Sequence, residues 1–128
     1  MQRRFWCLLI LLAIVVAACG GTAEPPPPTA TPTLDPQAAM GKQVFTRECG
    51  SCHSLSPDTV IVGPSLAGIS RRAASRVPGQ DARVYIMTSI LRPGDYVVEG
   101  YDDLMPANFG KKLTGEEVDA LVAFLMTQ

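Results

Sequence analysis

Residues 48–53, Glu-Cys-Gly-Ser-Cys-His, hold two of the four cysteines and the only histidine of the chain. Two thiols and an imidazole at this spacing can do four kinds of chemistry. The first is a structural disulfide between Cys49 and Cys52. The second is a thioredoxin-like redox pair, which requires a βαβ context. The third is zinc binding. A structural zinc wants four ligands, and this motif offers two thiols and one imidazole. The fourth is covalent attachment of a c-type haem through Cys-x-x-Cys-His.

The spacing suits the fourth reading best. Thiols two residues apart can add to the two vinyl groups on one edge of a porphyrin. The next residue then presents an imidazole to the iron, so His53 is the expected axial ligand. With one histidine in the chain, bis-histidine ligation is excluded, and methionine is the common alternative, which raises the reduction potential. Met1 precedes an apolar leader. Met40 and Met87 fall in helical apolar stripes, and Met126 lies at the C-terminus. Met105 sits outside any predicted helix, and Pro106 biases it towards extended backbone. A thioether there can project from a loop into a pocket, which makes Met105 the expected second ligand.

Helices and loops must position these groups, and no strand is predicted. Asp35-Pro36 supplies an N-cap and a proline at the first helical position, opening a helix to about Glu48. Met40 and Val44 share a face of it, with Phe45 beside them. A loop rich in Pro, Gly and Ser runs over 54–64, and a short helix is expected over 65–74. Asp81 caps a third helix in which Val84, Met87 and Leu91 form a stripe, ended by Pro93-Gly94. Thr114-Gly115-Glu116-Glu117 fits a capping box. Val118, Leu121, Val122 and Leu125 follow at i, i+3, i+4 and i+7, the signature of a last amphipathic helix.

The N-terminal quarter is different in kind. Arg3 and Arg4 precede 14 apolar residues, Phe5 to Ala18. That run is short for a membrane span and suits the core of a signal peptide, residues 1–18. Val16-Ala17-Ala18-Cys19-Gly20 resembles the bacterial lipobox, which makes Cys19 the expected lipidated residue and first residue of the mature chain. Residues 19–35, rich in Pro and Thr, read as a flexible tether, of which the stretch over 20–33 would reach roughly 40–50 Å in extended polyproline geometry. The folded domain is expected over 36–128. The expected location is the extracytoplasmic, periplasmic side of a bacterial membrane, held there by lipid. Of the 128 residues 47% are hydrophobic, enough for a core. A net charge of −1 gives no argument for a nucleic-acid partner.

Taken together, residues 36–128 resemble a class I cytochrome c of the small single-haem bacterial kind. Gly41 and Phe45 stand where that family's first helix packs on its last, with Leu121 and Phe124 facing them. Gly63-Pro64-Ser65-Leu66 resembles the loop whose proline carbonyl accepts a hydrogen bond from the haem-ligating histidine, so the resemblance makes Pro64 the group that orients His53. Met105-Pro106 followed by Asn108-Phe109-Gly110 resembles the distal-ligand loop. The implied fold is all-α, with crossed N- and C-terminal helices and loops enclosing one covalently attached haem c. Arg71, Arg72, Tyr85, Tyr96 and Tyr101 are candidate propionate contacts. Arg71 and Arg72 also fit a solvated helix face, and Lys111 and Lys112 fit either a docking surface or solubility. The implied function is electron carriage, not catalysis. Implied partners are a quinol-oxidising complex, a terminal oxidase or a photosynthetic reaction centre. Rival readings are a haem subunit of a larger oxidoreductase and a gas- or peroxide-reactive haem protein with a displaceable methionine.

Overall fold

A computed structural model describes residues 34–128. The signal segment, Cys19 and the tether up to Thr33 lie outside the described residues. Helix α1 spans Pro36–Glu48. The Asp35 carboxylate accepts from the Ala38 N–H at 3.0 Å, and Pro36 occupies the first turn, where its missing N–H costs nothing. Ala38, Gly41, Val44 and Phe45 are buried, one stripe of α1.

Helix α2 covers only Ile69–Ala73, within the expected 65–74. Gly68 precedes it at φ 68°, a left-handed conformation that glycine adopts without strain, and Ser65–Ala67 stay outside the helix. Helix α3 spans Ala82–Leu91, with the Asp81 carboxylate accepting from the Val84 N–H at 2.8 Å. Its buried face is Ala82, Tyr85, Ile86 and Ile90, not the Val84–Met87–Leu91 stripe expected from sequence. Val84 is exposed, and Met87 and Leu91 are half-buried. Apolar residues lie on both sides of the helix, so periodicity could not choose between two nearly opposite faces. A 3₁₀ turn at Pro93–Asp95 follows. Helix α4, Phe109–Lys112, was not expected; four residues are too few to show a period, and Phe109 alone is buried in it.

Helix α5 spans Gly115–Leu125. Its capping box forms as read: the Thr114 hydroxyl accepts from the Glu117 N–H at 3.1 Å, and the Glu117 carboxylate accepts from the Thr114 N–H at 3.0 Å. Val118, Leu121, Val122 and Leu125 are all buried. Helices α1 and α5 make the most extensive inter-helix contact. It closes at Gly41, where an added Cβ would sit 1.9 Å from the Ala120 carbonyl oxygen and 2.7 Å from Phe124 Cβ. One turn on, the rings of Phe45 and Phe124 meet at 5.6 Å between centroids, tilted by 50°. The described residues are all-α, without strands.

Candidate functional site

The motif begins where α1 stops. Cys49 and Gly50 both donate to the Phe45 carbonyl, at 2.8 and 2.9 Å, closing the helix. Cys52 and His53 then both donate to the Cys49 carbonyl, at 3.0 and 2.9 Å. This tight turn brings the two thiols and the imidazole to one place. The Cys52 carbonyl in turn accepts from Val62 at 3.2 Å and Gly63 at 2.9 Å, so the loop over 54–62 is pinned back on the motif.

Pro64 arrives by that route. His53 Nδ1 lies 2.9 Å from the Pro64 carbonyl oxygen. A carbonyl can only accept, so Nδ1 carries the proton and Nε2 keeps its lone pair for a metal. Gly63 makes room for the ring: a Cβ there would lie 2.4 Å from His53 Cε1. Glycine at this position permits the backbone to run flat against the imidazole. Sequence reading assigned Gly63 no role, because a glycine does not reveal which neighbour needs the space.

Cys49, Cys52, His53, Pro64 and Met105 line one cavity of about 400 Å³. Leu66, Ile69, Tyr85, Ile86, Ile90 and Phe109 form much of its apolar wall. Among Met40, Met87, Met105 and Met126, only Met105 reaches this wall. Met87 and Met126 pack against the core. Cys49 and Cys52 are unbonded thiols. Burial, with Glu48 and Cys52 beside it, pushes the Cys49 thiol up to about 11. It therefore stays protonated and uncharged at neutral pH in the free polypeptide. Although the turn brings Cys49, Cys52 and His53 together, among the described residues no three His, Cys, Asp or Glu side chains are placed to hold one metal ion, as the zinc reading requires.

The charged neighbours are more ordered than the sequence suggested. Arg72, Tyr85, Tyr96 and Tyr101 line the cavity, and Arg71 does not. Arg72 is no idle surface charge: its guanidinium donates to the Ser65 carbonyl at 2.8 Å and to the Ala67 carbonyl. Lys112 pairs with Glu48, whose side chain is only 8% exposed. Arg47 bridges Glu48 at 2.9 Å and Glu117 at 2.7 Å. The network ties α1 to α4 and α5 beside Cys49. It was invisible in sequence because its partners are 64 and 70 residues apart.

The sequence model of the Cytochrome c family matches residues 38–128. The chain belongs to this family, and its domain is a class I cytochrome c. No curated protein matches the chain. The cofactor is haem c, attached covalently. The residues present fit it: two free thiols on one turn, an imidazole with Nδ1–H already committed, and apolar walls around them. Electron transfer, not catalysis, is the typical function of the family.

Proposed function

We propose that this protein is a membrane-tethered carrier of single electrons, with Cys49 and Cys52 as the covalent attachment points and His53 and Met105 as axial ligands. When bound, haem c supplies a one-electron couple at its iron. The chain's residues keep that couple reversible. Cys49 and Cys52 would hold the group by thioether bonds, and the Pro64 carbonyl holds His53 in the tautomer that offers Nε2. Met105 would bind through its thioether sulfur, and the apolar wall excludes water, which keeps the charge change inexpensive to reorganise. The observation that carries the reading is one cavity shared by the two thiols, the oriented imidazole and a single methionine.

Cys19 would carry the lipid and residues 19–35 would act as the tether, on the periplasmic side of a bacterial membrane. Tethering raises the effective concentration at neighbouring complexes without any new contact. A quinol-oxidising complex, a terminal oxidase or a reaction centre would be the donor or acceptor. The near-infrared spectrum of the oxidised protein tests the ligands. A weak band of methionine bound to ferric iron is expected, and Met105→Ala should remove it and lower the potential. An unchanged spectrum in Met105→Ala would discard Met105, and an unsubstituted protein without that band would return weight to an open-site haem protein. Cys19→Ser should move the protein to the soluble fraction.

A further inference from the structure

Two loops border the cavity, and their surfaces share an unusual composition. Residues 54–70 carry a single charge, Asp58. Residues 93–110 carry Asp95, Glu99, Asp102 and Asp103 and no basic residue. Asp95 is paired with Arg92 at 2.6 Å; Asp58, Glu99, Asp102 and Asp103 are exposed and make no ion pair among the described residues. Between these acids the loops present large apolar side chains to solvent. Val60 is 59% exposed, Ile61 50% and Leu104 67%. Val62 and Leu104 also border the cavity, so the apolar surface begins at its rim. Val62 donates to the Cys52 carbonyl, which fixes the Val60–Val62 run beside the motif.

Three cations also line the cavity. Lys112 is held by Glu48, and Arg72 is held by the Ser65 and Ala67 carbonyls. Arg76, beyond the end of α2, is the third. None belongs to the loops that carry the exposed apolar residues.

We infer that Val60, Ile61 and Leu104, flanked by Asp58, Glu99, Asp102 and Asp103, form the docking surface for a redox protein that presents an apolar patch edged by basic residues. This rests on the electron-carrier reading and names the partner's chemistry. Apolar contact at the rim lets two redox centres approach without trapped water, while opposite charge steers the encounter. The charge pattern selects this occupant over two others. A bilayer surface rich in anionic lipid would repel the acidic flank. A second copy on a two-fold axis would set an acidic flank against an acidic flank. At the contact one electron crosses, and no bond is made or broken.

The test uses the full-length holoprotein. Nuclear magnetic resonance with two paramagnetic probes, hexaamminechromium(III) and hexacyanochromate(III), reports where ions of each sign gather. The cation should broaden amides over 58–62 and 99–104, and the anion should not. Asp102→Asn with Asp103→Asn should abolish most of that broadening. Glu116→Gln with Asp119→Asn removes the same charge on α5, away from the cavity, and should leave it unchanged. Second, reduced holoprotein should be oxidised by membranes of the source cell at a rate that falls with salt. Val60→Ser with Ile61→Ser should slow that oxidation roughly threefold to tenfold, with the midpoint potential unchanged. Cation broadening spread evenly over the surface, or membrane oxidation indifferent to both loop variants, would overturn the docking surface alone. So would loss of self-association or of vesicle binding in the serine variant, since either gives the patch another occupant. A holoprotein that passes no electron to membranes at any salt concentration would instead overturn the carrier reading beneath it.

Discussion

At the α1–α5 crossing the chain sets backbone against backbone; at the cavity it sets loops against side chains. In the first region Gly41 meets the Ala120 carbonyl, and two capped helices supply their own hydrogen bonds. In the second, the loop over 54–68 has no regular ladder. It is held by single bonds: Val62 and Gly63 to Cys52, Leu66 to Ser54 at 2.8 Å, Ser65 to Ser56 at 2.7 Å, and Arg72 to Ser65. The crossing therefore sets whether the domain folds, and the loops set how the imidazole is aimed. A small substitution should separate these roles.

Gly41→Ala should be the most damaging change. The new methyl would meet a backbone oxygen that cannot rotate away, so the helices must part. A loss of about 3 kcal/mol is expected, the upper part of the overpacking range. For a domain of this size that lowers the melting temperature by roughly 12–24 °C. The absorption spectrum of whatever remains folded should be unaltered. A loss under about 1 kcal/mol would show that α1 and α5 have room to slide, and the contrast between the regions would collapse.

Gly63→Ala is the same chemical change in the other region. Its methyl would overlap the His53 ring at Cε1, and the ring is pinned at Nδ1 by the Pro64 carbonyl. The loop can yield where a helix pair cannot, so a loss of about 1–2 kcal/mol is expected. The distinctive effect is a changed visible spectrum and potential, because the ring must tilt or the Pro64 bond must break. Pro64→Ala should do much less, since the acceptor is a backbone oxygen that any residue supplies. If Gly63→Ala melts early with an unaltered spectrum, Gly63 serves the loop and not the imidazole.

The same division explains what could be read in sequence. Helices α1 and α5 were legible because caps and apolar spacing are local signals that their own residues carry. Helix α3 was legible in extent but not in orientation, since Val84, Tyr85, Ile86, Met87, Ile90 and Leu91 leave no polar side to point outwards. The cysteines and His53 stood out because six consecutive residues hold the whole pattern. Pro64 and Met105 needed the resemblance or the elimination of other methionines, and the structure has both lining the same cavity. Nothing local announces that Gly63 seats an imidazole or that Lys112 will find Glu48. Those facts depend on how the chain returns upon itself.

Thr114→Ala tests a local signal directly. It removes the acceptor for the Glu117 N–H at the start of α5, and about 1 kcal/mol should be lost by thermal melting. The spectrum should not move, as for Gly41→Ala, because the cap belongs to the crossing region. A spectral change here would mean that the helix end and the cavity are coupled through Glu117 and Arg47.

The smallest effect should come from that ion network, and acid is the tool that isolates it. Lys112, then Arg47, holds the Glu48 carboxyl below its ordinary value; the Thr114 N–H, then Arg47, does so for Glu117. A carboxyl whose value is lowered by folding contributes stability that is whole above the unfolded value, near 4.5, and is lost as pH falls through the folded one. Melting temperature should thus hold through neutral pH and decline on acidification below 4.5. Glu48→Gln should melt earlier at neutral pH and decline less steeply in acid, with the two curves converging at low pH. Because Glu48 immediately precedes Cys49 and lines the cavity, its variant can also move the spectrum, whereas Glu117→Gln should not. If Glu48→Gln shifts stability and spectrum together, the network joins the two regions that the glycine pair holds apart; if stability alone shifts, they remain separate structures sharing one chain.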